Sequence, residues 1–220
     1  MAKNDMFSTE NPFKKVGVVL LVIGVLDIIL MIYCIINQIG YSSSFNIFAV
    51  IVGILLLKSS VKTARIARWL SVFFFIMFIG IIIGASLLMP FDLLKLQIKL
   101  NTWSAVVFFL FMMFLLYFLI WIYRQLSSPH ALRRLAQAGY ATDRPLSAYL
   151  SATFLFIFMI GMFIFLQGSE SEKKAKKLAQ QQLGSGFQYY VSSISFSENS
   201  GQANVVAYSD KEIRNVPVSW

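Results

Sequence analysis

Apolar residues fill long unbroken blocks through most of the chain and give way, after Leu166, to short alternating runs. A bilayer core of about 30 Å takes roughly 20 helical residues at 1.5 Å each. Four blocks reach that length: Val16–Ile36, Trp69–Met89, Trp103–Tyr123 and Leu146–Leu166. A fifth, Phe45–Leu57, has 13 residues and reaches 19 when started at Ile39. Tyr41, Ser42, Ser43 and Ser44 then lie near one interface, with Lys58 snorkelling at the other. The pattern predicts an integral membrane α-helical protein with about five transmembrane helices, at 16–36, 39–57, 69–89, 103–123 and 146–166. Lys14 and Lys15 precede the first block as in a signal peptide. Its 21 residues and the absence of a small-x-small site in Asn37-Gln38-Ile39-Gly40 mark it instead as a retained helix.

Beyond Gln167 the periodicity changes. Ser169-x-x-Glu172 is a capping box, and Ala175, Leu178, Ala179 and Leu183 repeat on one helical face before Gly184 and Gly186. Phe187–Phe196 reads as a strand, Asn199-Ser200-Gly201 as a turn and Gln202–Ser209 as a second strand. Ser209-Asp210-Lys211 turns again, and Val216, Val218 and Trp220 alternate in a third strand that Pro217 confines to an edge. Residues 168–220 are thus expected to form a small α+β domain, a helix plus a three-stranded antiparallel meander.

A domain of about fifty residues without a disulfide needs more surface to bury. Leu94, Leu96, Ile98 and Leu100 alternate with Lys95, Gln97 and Lys99, which suits a strand, while Leu93, Leu96 and Leu100 suit an interfacial helix. Either way this loop is expected to add a strand to, or pack under, the terminal domain.

Composition agrees with a bilayer: 58% of residues are apolar and 13% charged. The net charge of +9 would suggest nucleic acid in a soluble protein, but the positive-inside bias accounts for it here. Lys3, Lys14, Lys15, Lys58, Lys62, Arg65, Arg68, Arg124, Arg133, Arg134 and Arg144 fall on one side, against Lys95 and Lys99 in the opposite loops. That places residues 1–15 in the cytoplasm and the C-terminus outside. Lys173, Lys174, Lys176 and Lys177 oppose this, partly offset by Glu170 and Glu172. Were Ile39–Leu57 only to dip into the membrane, the N-terminus would change sides and the C-terminus would not. The compact, loop-poor design fits a bacterial cytoplasmic membrane. In the cytoplasmic loop, Ser128, Pro129 and Gly139 bound a short helix whose Leu132, Leu135 and Ala136 oppose Arg133, Arg134 and Gln137. Its expected place is on the anionic inner leaflet.

Little chemistry is visible. Asp27 lies midway along the first span, where a carboxylate costs about 2.5–3.5 kcal/mol on insertion scales. Gly17, Gly24, Asp27, Met31, Cys34 and Gln38 share one face, so that face should pack on protein. Helix packing is also expected at Gly80 and Gly84, at Ala49 and Gly53, and along the stripe of Ala148, Ser151, Ala152, Leu155, Met159 and Met162. Between Ala105 and Ile120 the fourth of the five spans should face lipid widely. One cysteine, Cys34, allows no intramolecular disulfide, and with one histidine, His130, there is no Cys/His metal cage. No phosphate loop, dinucleotide fingerprint, HExxH or paired carboxylates occur, so neither a catalytic residue nor a cofactor is expected. Expected partners are the lipid bilayer and a membrane protein or a second copy of this chain, not nucleic acid. The reading is a non-enzymatic interaction, assembly or sensing protein presenting a small extracytoplasmic domain. The alternative is a small transporter or channel component using Asp27.

Overall fold

The computed structural model describes residues 11–38, 45–166, 169–197, 200–210 and 212–220. The Ile39 start of the second span, the Gln167 boundary, the Asn199 turn residue and Lys211 lie outside them. Among the described residues four helices are long and apolar enough to cross a bilayer: α1 (Lys14–Ile36), α3 (Val61–Leu88), α5 (Thr102–Leu126) and α7 (Leu146–Leu166). The chain is a multi-pass helical membrane protein carrying a small helix-and-sheet domain. α2 (Phe45–Leu57) has 13 described residues, about 20 Å of helix. Contacts divide the chain into two compact units, Met1–Phe75 with Leu115–Ser151, and Ile76–Phe114 with Ala152–Trp220.

In the first unit α1 and α2 form an antiparallel hairpin. A Cβ placed on Gly53 would lie 2.8 Å from the Leu21 nitrogen and 2.9 Å from the Gly17 carbonyl oxygen, so only glycine permits this approach. The Asn11 side chain donates to the carbonyls of Leu56 (2.8 Å) and Leu57 (3.0 Å), satisfying the open end of α2. Asn11 and Leu57 therefore lie at the same end of the hairpin. Phe13, Val16, Leu20, Val52 and Leu56 form a core with Ala64 and Ala67 of α3 and Phe118, Ile122 and Leu126 of α5.

Two elements here differ from the sequence reading. α3 begins at Val61, eight residues before Trp69, because Ser60 caps it: Thr63 N–H donates to Ser60 Oγ (3.4 Å). Arg65 and Arg68 thus ride on a helix instead of a connection. The short helix α6 (Pro129–Gln137) is capped by Ser128 as expected. Its Ala131 and Leu135 are fully buried, with Ala131 in the core, so those residues face protein and not the leaflet.

In the second unit, Pro90 precedes α4 (Phe91–Leu100), so the Leu93–Leu100 stretch is helical and its period-two alternation is not used. Three factors favour the helix: Pro90 at the N-cap, Asp92 in the first turn and Lys99 in the last, the latter two complementing the helix dipole. α8 (Glu170–Leu183) starts where Ser169 Oγ accepts from Glu172 N–H (3.2 Å) and stops at Gly184, whose φ of 82° needs glycine. The sheet follows in the order β1-β2-β3, antiparallel: β1 (Gln188–Ser197), β2 (Ser200–Tyr208) and β3 (Ile213–Ser219). β1 carries an irregularity between Val191 and Ser193. Pro217 sits on edge strand β3 opposite Asn204. On one face of the sheet Val191, Ala203, Val205, Ala207, Val216 and Val218 pack with Ala175 and Ala179 of α8. The Trp220 indole lies over Gly201, whose missing side chain makes the room.

Candidate functional site

Most of the intramembrane polar face is buried or half-buried. Gly17, Gly24 and Cys34 are buried, and Asp27 is half-buried and engaged by a neighbour. Gln38 does not share the face: Asn37 caps α1, and Gln38 follows it, exposed, with φ of 56°. The hundred-degree rule fails there because the helix has already ended. Gly80 and Gly84 are both buried beneath Phe156 of α7, and a Cβ on Gly80 would lie 2.6 Å from its ring. Ala148 and Ala152 are fully buried, and Ser151 turns its hydroxyl back to the Ser147 carbonyl (2.7 Å). The rest of that stripe, Leu155, Met159 and Met162, is exposed, so packing is confined to its first half. Trp103, Phe108, Phe109, Leu110 and Phe114 are broadly exposed along α5, as lipid contact requires. Among the described residues no group of three His, Cys, Asp or Glu could hold a metal ion.

The other face of the sheet is more informative. Strand alternation puts Tyr190, Val206, Tyr208 and Ile213 together at one end of it. Leu93 and Leu96 of α4 pack there with Tyr208, and Met89 joins them. A helix of ten residues is marginal alone, and a three-stranded sheet gains from a second covered face. Each supplies what the other lacks.

Beside this contact lies an open hollow of about 540 Å³, lined by Asp92, Lys95 and Lys99 of α4 and by Gln188, Tyr208 and Asp210. Burial raises the Tyr208 phenol above its usual pKa, and the Asp92 carboxylate raises it further. The remainder of the same face is polar and uncharged: Ser193, Ser195, Gln202, Asn204 and Ser219 surround a shallower hollow of about 390 Å³. Asn204 spans the strands by donating to Ser193 Oγ (3.2 Å), and Ser192 Oγ donates to the Asn204 carbonyl (2.9 Å). Sequence reasoning found the strands but not this split face, because the β1 irregularity shifts Ser193 and Ser195 onto it. Among the described residues, none in the site forms a nucleophile with a paired base.

Compared with known proteins, the chain matches no family model, no curated protein and no solved structure.

Proposed function

We propose that the protein is a non-enzymatic interaction or assembly factor that presents the α8–sheet domain on the outer side of a cytoplasmic membrane. The carrying observation is the seating of α4 under the sheet: the loop between α3 and α5 grips one end of a face and leaves the other end open. A surface of hydroxyls and amides without charge suits hydrogen bonding to a partner protein more than capture of an ion. The outward placement rests on the distribution of basic residues. The pairing of Asn11 with the end of α2 supports a common side for the N-terminal segment and the basic stretch after Leu57.

A photo-reactive amino acid at Gln202, on the open end, is expected to give a discrete protein adduct in intact membranes. The same group at exposed Gln181 on α8 is expected to give none. An adduct of twice the chain mass identifies a second copy of this chain as the partner. Equal labelling at both positions, or none at Gln202, overturns the proposal.

A further inference from the structure

The first unit holds a basic hollow that the interaction reading does not use. It measures about 570 Å³ and is lined by Arg65, Arg68, Trp69, Asp143, Arg144 and Ser147 among others. Arg68 is only 6% exposed. Its Nε donates to Ser127 Oγ (2.9 Å) and its Nη2 to the Thr142 carbonyl (3.0 Å), while Tyr123 presents its ring to the guanidinium. Every one of those partners is neutral. Arg65 stacks its guanidinium 4.8 Å from the Tyr140 ring centre, which holds it beside the hollow. Trp69 Nε1 donates to Ser147 Oγ (2.9 Å), tying α3 to the start of α7 across it.

Among the described residues none of the three arginines is ion-paired to a carboxylate, although Asp143 lines the same hollow. A buried guanidinium whose partners are all neutral favours an anion nearby. The hollow opens at the boundary of two apolar helices, where Trp69 and Leu146 begin their apolar stretches. Anions at that depth belong to lipid headgroups, and phosphate oxygens match the guanidinium fork. Ile66 lines both this hollow and an apolar one bounded by Leu20, Val52, Leu70 and Ile122, which gives an acylated ligand a contact that a free phosphate ester lacks.

From these observations we infer that Arg65, Arg68 and Arg144 form a binding site for the phosphodiester headgroup of an anionic phospholipid. The site is independent of the terminal domain and of its proposed partner.

The test uses the full chain, purified in neutral detergent and mixed with equal phosphatidylglycerol and phosphatidylcholine, with bound lipid read by native mass spectrometry. Phosphatidylglycerol is expected to be retained over phosphatidylcholine. The R65Q/R144Q variant, altered at two exposed positions, is expected to bind it more weakly by about fivefold for each arginine removed. R144Q alone, in the connection before α7, is expected to show the single step if the double variant does not fold. R133Q/R134Q on α6 removes equal charge away from the hollow and is expected to leave binding unchanged. Equal retention of the two lipids, equal loss in both double variants, or displacement of phosphatidylglycerol by equimolar glycerophosphate overturns the inference.

Discussion

Leu93→Ala tests the seating of α4 under the sheet. Leu93 is 2% exposed, and the substitution removes three carbons from a contact with Leu96 and Tyr208. At about 0.8 kcal/mol per buried methylene, the transfer loss is roughly 2.4 kcal/mol. The residual cavity brings the total to about 3 kcal/mol, inside the usual range for such truncations. A helix of ten residues does not persist when undocked, so α4 amides report undocking directly. At 1.4 kcal/mol per tenfold, hydrogen exchange across Leu93–Leu100 is expected to accelerate by about 100-fold. Exchange in α8, which packs on the opposite face, should change far less. Phe91→Ala is the control, because Phe91 is 64% exposed on the same helix. Equal exchange in Leu93→Ala and wild type, or equal acceleration in both variants, would refute the seating.

Other expectations follow from the same structure. Gly53→Ala should force α1 and α2 apart and lower stability by about 1–3 kcal/mol, read by thermal unfolding in detergent; an unchanged midpoint would contradict the close approach. Tyr208 and Tyr190 both have raised pKa values, chiefly from burial, so the fold favours their neutral phenols. The stability they contribute is complete below the unfolded value of 10.0 and is lost as pH rises through the higher folded values. Between about pH 9 and pH 11 the wild type should therefore lose more stability than Tyr208→Phe, and equal losses would sink the assignment. Asp27→Asn should leave partner cross-linking through Gln202 intact, since the interaction reading gives that carboxylate a packing role; loss of a solute or proton flux in the folded variant would favour transport instead.

Much of the architecture was legible from local rules. Ser169, Glu172 and Gly184 bracket α8 because capping chemistry acts within a few residues. The three strands follow from alternation, and four apolar blocks from length. The rest turned on features that periodicity alone does not carry. Leu93–Leu100 satisfies two periods at once, so alternation alone leaves strand and helix open, and Pro90, Asp92, Lys99 and the surface it meets together select the helix. Arg68 looks like a loop charge until Ser127, Thr142 and Tyr123 come to it from positions far along the chain. Ala131 and Leu135 give α6 an apolar face, yet periodicity cannot say whether protein or lipid covers it. Gln38 fits a helical wheel that ends two residues earlier, at Ile36. The candidate surface was the least legible part, because it depends on the β1 irregularity and on which end of the sheet α4 covers.

Cysteine pairs Asp92→Cys/Asp210→Cys and Lys99→Cys/Gln188→Cys, made in a Cys34→Ser background, span the hollow between α4 and the sheet. Treating intact cells with a short, membrane-impermeant bismaleimide tests docking and sidedness together. Intramolecular cross-links in unbroken cells are the predicted result. Their absence at both pairs, or their formation only after lysis, would contradict an outward-facing domain seated on α4.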